Sequence, residues 1–397
     1  MDIPALQAFL SKRQIDAWLI HDFRASNPTF GLLLDALASP RSRHLTRRCS
    51  LLIPSRGQAV LLAHGLDANQ FEDLPASIRR DRYLSWQDLH AWLGRELSSK
   101  RRVAMEYAPG CTLPVVSIVD AGTIELVRAA GAEVVSSADV LQFAVARWSP
   151  AALERHLLAN RKADAIKDEA FAMIGAAVRG GRAITEREVQ QFILKRFGEE
   201  GLETPDAPIV AANAHSGDPH FEVSATASSV IRAGDWVMID LWARFPGNEN
   251  IFADITWNGI VGGAPTPRHR EVFHTVRKAR DASVALAQEA WKAGRSVQGW
   301  ELDEAARQVI IGAGFGDAIK HRTGHSLSPG TRVHGLGVNL DNLETRDTRE
   351  MLPGLGFTVE PGIYLPEFGV RSEINVYVDE ARGPIVTSGV QQEPVAV

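Results

Sequence analysis

Hydrophobic and polar positions alternate between two periods along the first third of the chain. Ile3 to Lys12 carries an amphipathic helical pattern, and Ala17-Trp18-Leu19-Ile20 reads as a strand. Cys49 to Pro54 and Ala59 to Ala63 read as further strands, and residues 86 to 97 have the apolar spacing of three and four that marks a helix. Val103 to Glu106 and Ala132 to Val135 are short strand patterns with an apolar, helical segment between them. This alternation predicts an α/β domain at residues 1–147. Its histidines, at 21, 44, 64 and 90, are scattered and suggest no catalytic constellation. Arg41, Arg43, Arg47 and Arg48 read as a solvated basic loop.

The pattern changes at Ser149-Pro150, an N-cap residue followed by proline at the first helical position. A helix is expected from there to about Val178, stopped by Gly180-Gly181. Thr185-x-x-Glu188 is a capping box that opens a second helix to about Phe197. Strand patterns follow at 209–211, 235–245 and 251–257. The order then repeats: Thr266-Pro267 starts a helix running to Ala293, and Trp300 to Ile311 is another. Strands are expected again near Val333 to Leu336 and through Thr358 to Tyr377. Two helices followed by strands, twice, predict an α+β domain at 148–397 with pseudo-two-fold symmetry and a ligand site between its halves.

Each half places two acids in apolar, β-rich sequence. Glu360 and Glu373 flank the turn residues Pro366-Glu367-Phe368-Gly369, and an antiparallel hairpin centred there sets them opposite each other. Asp240 and Asp254 flank Pro246 to Asn250, and opposing them centres the turn on Gly247. Directly opposed like charges repel, and buried carboxylates without a counter-charge are costly. Taken singly, Asp240 could pair with an arginine, and Asp254 or Glu360 could serve a cap or turn. Four acids in matched hairpins point instead to bound cations. His325, in H-R-T-G-H-S-L, is a fifth ligand candidate, with Gly324 allowing close backbone approach. Four carboxylates and one imidazole suit two borderline-hard cations such as Mn²⁺ or Co²⁺, with Zn²⁺ possible. His220 and His334 lie in Gly/Pro-rich loops and are candidates for handling protons and transition-state charge. Arg371 shares the strand parity of Glu373, so it could orient that residue or bind a substrate carboxylate. His215 and His321 are weaker candidates, and Tyr364 shares the face of Glu360.

Composition narrows the partners. The 397 residues are 45% apolar and 23% charged, with a formal net charge of −5, which offers no basic surplus for nucleic acid. No apolar run approaches a membrane span, and the first residues lack a signal-peptide pattern. Two cysteines, Cys49 and Cys111, make no disulfide framework, so a reducing cytoplasm is expected.

These residues resemble the pita-bread-fold metallopeptidases, the group that includes prolidase, aminopeptidase P and methionine aminopeptidase. The resemblance covers about residues 150–390 and rests on P-H-F at 219–221, A-D-I-T at 253–256, R-T-G-H at 322–325, V-H-G-L-G at 333–337, V-E-P-G-I-Y at 359–364 and G-V-R-S-E at 369–373. It implies metal ligation by Asp240, Asp254, His325, Glu360 and Glu373, with Asp254 and Glu373 bridging two metals. It assigns His220 and His334 to substrate binding and transition-state stabilisation, and Glu360 to proton shuttling. The N-terminal part looks like the creatinase-type domain of prolidases and aminopeptidases P, which implies a homodimer. Xaa-Pro dipeptide hydrolysis by a metal-bridging hydroxide is the activity implied. Aminopeptidase P activity on longer peptides and a non-catalytic binding module are the alternatives. Two departures stand out. The family usually has Asp-x-Gly at the first ligand, where this chain has Asp240-Leu241-Trp242, and the first pair of acids is 14 apart rather than the usual 11. A longer loop is expected there, with Trp242 on the side of Asp240.

Overall fold

The computed structural model describes residues 1–38 and 40–397, which divide into two compact units, Met1–Val145 and Ala146–Val397. In the first unit the elements run α1 (Ile3–Lys12), β1 (Ala17–Phe23), α2 (Pro28–Leu37), β2 (Arg48–Pro54), β3 (Val60–His64), β4 (Arg79–Tyr83), α3 (Trp86–Leu97), β5 (Arg102–Met105), α4 (Ala121–Ala129), β6 (Glu133–Ser136) and α5 (Ala138–Val145). A mixed six-stranded sheet has the order β4-β3-β2-β1-β5-β6. Alternate residues of β1 explain the layering: Trp18 and Ile20 join the α1, α2 and α5 side, whereas Ala17 and Leu19 join the α3 and α4 side. The charged run Arg79–Tyr83 gives no apolar alternation, yet it forms the edge strand β4, where charges are favoured. The basic loop is exposed at Arg41 and Arg47, as expected, and Arg41 and Arg43 both pair with Asp73.

The second unit opens with α6 (Pro150–Arg179), β7 (Ile184–Thr185), α7 (Glu186–Glu199), β8 (Ile209–Ala212), β9 (Val230–Ile231), β10 (Trp236–Ala243) and β11 (Ala253–Ile260). It continues with α8 (Pro267–Lys292), α9 (Gly299–Gly312), β12 (Ser326–Leu327), β13 (Gly356–Val359), β14 (Gly362–Tyr364), β15 (Gly369–Arg371), β16 (Ile374–Asp379), β17 (Gly383–Val386) and β18 (Val395–Ala396). Ser149, Thr185 and Thr266 cap their helices as their sequences predict, each hydroxyl accepting a backbone N–H of the first turn. The helix pair α6–α7 buries its apolar stripe against the odd-numbered residues Ile239, Leu241, Ala253 and Ile255 of the sheet β18-β11-β10-β8. The second sheet has the order β12-β13-β16-β17, and β14 and β15 extend its central hairpin.

The odd residues are thus committed to the helices, and the even residues of β10 and β11 are left on the opposite face. Asp240 and Asp254 are among them. Val333 to Leu336 is not a strand. Gly335 N and Gly337 N donate to Ser326, and a Cβ at Gly335 would sit 2.3 Å from Ser328 Oγ, so the segment folds tightly over β12 instead. No described helix is long and apolar enough to cross a membrane.

Candidate metal centre

The second hairpin has the register its turn predicts. Gly356 faces Tyr377, Val359 faces Ile374 and Gly362 faces Arg371, so Glu360 and Glu373 are opposed. Both lie where the ladder breaks between β13 and β14, because Pro361 carries no N–H to continue it. The first hairpin differs from expectation. Asp240 faces Thr256, and Asp254 faces Trp242, a shift of two residues that keeps both acids on one face. The loop sets this register: Asn250 N donates to Gly247 O and the Asn250 side chain to Pro246 O, closing a compact turn centred past Gly247.

The two hairpins meet edge to edge. Asn375 of β16 receives the Asp254 N–H on its side-chain oxygen at 3.0 Å and donates its amide to the Asp254 carbonyl. Glu373 N donates to Thr256 O at 3.2 Å. This seam brings Asp254, His325 and Glu373 together, with one ligand atom from each within 4.8 Å of the others. His325 Nε2 lies 3.4 Å from Asp254 Oδ2 and 3.5 Å from Glu360 Oε1. Its Nδ1 faces Ser326 O at 3.1 Å, which leaves Nε2 as the lone-pair nitrogen toward the acids. His325 N and Glu360 Oε1 both bond Thr358 Oγ1, at 2.9 and 3.0 Å. Gly324 is required by this packing, since a Cβ there would sit 2.1 Å from Thr358 O.

Arg371 is the buried cation of the centre. Its guanidinium pairs with Asp240 Oδ2, donates to Thr256 Oγ1 at 3.1 Å and Tyr364 OH at 2.8 Å, and reaches Pro219 O at 3.3 Å. It therefore acts on Glu373 through Thr256, whose hydroxyl donates to Glu373 Oε2 at 2.8 Å. Asp240 Oδ1 is buried with no partner among the described residues. Burial pushes the carboxyls of Asp254 and Glu373 far above the usual range, helped by Asp240 at Asp254 and by Asp254 at Glu373. Burial raises Glu360 as well, against the pull of His325 and Arg371, and lowers His325. Acids that resist ionisation, an orphaned oxygen and a correctly oriented imidazole together fit divalent cations, which stabilise the ionised forms.

The remaining candidates occupy the surroundings. His334 is exposed, with its ring 4.0 Å from that of His325, and its neutral form is favoured first by that neighbour. His220 is exposed in its loop. His215 pairs with the buried Glu186 at 2.9 Å and stacks on Phe221 at 4.1 Å, so it supports the loop carrying His220. His321 bonds Tyr364 OH at 2.6 Å, outside the ligand group. Thr256, Thr358 and Asn375 were missed in the sequence. Each lies two residues along the chain from an acid, so the alternation of extended backbone was the signal that could have found them.

A family model, metallopeptidase family M24, matches residues 159–380. The chain belongs to this family. Among similar proteins, an Xaa-Pro dipeptidase of Pyrococcus furiosus is 33% identical over 222 residues, 55% of this chain and 58% of that protein. A probable dipeptidase PepE of Mycobacterium bovis is 27% identical over 355 residues, 89% of this chain and 86% of that protein. The M24 chain therefore spans little more than half the length of the first relative and most of the second. The crystal structure of dipeptidase PepE from Mycobacterium ulcerans shares the fold, with a TM-score of 0.66 and 22% identity over 100% of this chain and 96% of that one. The fold of this M24 chain is the pita-bread fold, preceded by an α/β unit.

Two outcomes follow from the centre. Gly324→Ala should force β12 away from β13, lowering stability by about 1–3 kcal/mol and weakening Mn²⁺ binding; thermal melts with and without Mn²⁺ check it. Because burial holds the acids protonated above their usual range, cation binding must expel protons, and affinity should rise with pH. Calorimetry at about pH 6 in buffers of different ionisation enthalpy should detect proton release; equal heats in all buffers would contradict it.

Proposed function

We propose that this M24 chain hydrolyses Xaa-Pro dipeptides with two divalent cations, Mn²⁺ first and Co²⁺ or Zn²⁺ as alternatives. The observation that carries the reading is the buried convergence of Asp254, His325 and Glu373, flanked by Asp240 and Glu360. These five residues would hold the cations, with Asp254 and Glu373 shared between them. Bound there, the cations would polarise the scissile carbonyl and acidify water enough for attack at neutral pH. His334, whose ring lies against His325, and His220, next to the Pro219 whose carbonyl Arg371 reaches, bind the peptide and stabilise charge on its carbonyl oxygen as the carbon becomes tetrahedral. Glu360, whose pKa burial raises, holds the proton taken from water and passes it to the leaving nitrogen. That step is demanding for proline, because its peptide nitrogen carries no hydrogen and leaves only once protonated.

Arg371 has a positioning role in this scheme. Its guanidinium is buried and engaged with Asp240, Thr256 and Tyr364, so it fixes the acids rather than binding a substrate carboxylate. The names of two relatives, an Xaa-Pro dipeptidase and a probable dipeptidase, support dipeptides over longer chains. A homodimer in a reducing cytoplasm belongs to the same proposal.

Ala-Pro should be cleaved with added Mn²⁺, and Ala-Pro-Ala much more slowly. Cleavage of the tripeptide alone would assign the chain to aminopeptidase P activity instead. Glu360→Gln should lower kcat by ~10²–10⁴-fold with little change in KM, and an unchanged kcat would remove Glu360 from proton transfer.

A further inference from the structure

Trp242 stands directly across from Asp254 in the β10–β11 ladder and two residues beyond Asp240 on the same face. Opposed side chains on one face have Cβ atoms about 4.5–5.5 Å apart, so the indole begins beside a metal-ligand candidate. The ring is only partly buried, but its Nε1 is buried and has no partner among the described residues. Leaving a buried donor unpaired is unfavourable, and Trp N–H groups ordinarily find an acceptor when buried. Trp242 therefore resembles Asp240, whose Oδ1 is the matching orphan acceptor on the same strand face.

The indole borders an apolar cluster made by Trp148, Phe252, Leu327 and Val333. That cluster is braced at both ends. Trp148 Nε1 donates to Leu327 O at 2.7 Å, and the Trp148 ring stacks on Tyr377 at 5.1 Å. Arg244 lies 4.5 Å above the Phe252 ring and bonds Gly330 O, while Gly330 N donates to Asn248 O at 2.7 Å. The long first loop is thereby fastened to the segment that carries Val333 and His334. Trp242 thus faces Asp254 across the ladder and packs on the apolar cluster that Val333, the neighbour of His334 in sequence, also joins.

We propose that Trp242 is a specificity-determining residue for the side chain preceding the scissile bond. The inference rests on the peptidase reading above. A peptide with its scissile carbonyl at the acids must place the preceding side chain against neighbouring surface, and the cluster that Trp242 borders is an apolar surface beside Asp254. The indole limits that side chain to small and medium sizes.

The test measures kcat and KM for Ala-Pro and Phe-Pro with the Mn²⁺-loaded full chain. Trp242→Ala should raise the Phe-Pro to Ala-Pro ratio of kcat/KM by ~10-fold or more, and Trp242→Leu, kept as a second variant for folding, should raise it less. Trp242→Phe, which keeps an aromatic ring at this position, should leave that ratio within about twofold. Mn²⁺ stoichiometry by calorimetry should match the wild type in all three. An active Trp242→Ala or Trp242→Leu enzyme with an unchanged ratio overturns the proposal and leaves the peptidase reading intact. If the wild type cleaves dipeptides without proline only, the Xaa-Pro reading fails, and Phe-Ala against Ala-Ala decides the role of Trp242 by the same ratio. A Mn²⁺-loaded wild type that cleaves no peptide overturns both.

Discussion

Repulsion among acids in one buried space is the constraint on which the second unit depends. Asp240, Asp254 and Glu373 are each less than a tenth exposed, and Glu360 stands beside them. Glu106 in the first unit shows how a fold ordinarily settles a buried carboxylate. It accepts from Trp18 Nε1 at 2.7 Å, Asn27 Nδ2 at 3.0 Å and Ser137 Oγ at 3.1 Å, three neutral donors for one acid. The four acids of the centre share fewer donors. Arg371 holds one oxygen of Asp240, Thr256 one of Glu373 and Thr358 one of Glu360. Lone pairs left over in a low-dielectric space are an arrangement that only positive charge makes favourable.

The same constraint explains why the two hairpins are joined largely through side chains, with one backbone bond from Glu373 N to Thr256 O. A continuous ladder between β11 and β16 would use the backbone of Asp254 in an ordinary strand pairing. Instead the Asn375 amide satisfies both backbone groups of Asp254, and the Thr256 hydroxyl links Glu373 to Arg371. Neutral polar residues thus carry the geometry, and the acids keep oxygens free for ligation. Trp236 adds a second tie, its Nε1 donating to Gly369 O at the base of β15. The halves that the sequence repeat suggested are connected at the chemistry itself.

Much of this was legible because strand parity and turn chemistry are local. The Glu360–Glu373 opposition followed from a short turn, Leu365 to Phe368, that leaves one register available. The Asp240–Asp254 opposition did not follow, because the Pro246 to Asn250 loop closes on its own hydrogen bonds and moves the pairing by two. Parity survived the shift, so the face of each acid was correct while its partner was not. Helix boundaries were legible at Ser149, Thr185 and Thr266, where caps are written in the sequence. The segment Val333 to Leu336 was misread as strand, since the tight contacts of Gly335 and Gly337 with Ser326 and Ser328 depend on tertiary neighbours. Thr256 and Asn375 escaped notice for a similar reason: neutral residues acquire their meaning from the charges beside them.

We propose that the buried acids hold two cations in one place. An anomalous difference map from crystals soaked in Mn²⁺ tests it most directly. Two peaks about 3.5–4 Å apart, both bounded by Asp254 and Glu373 with His325 at one of them, are the predicted result. No peak among these residues, or bound Mn²⁺ confined to another part of the chain, would contradict it.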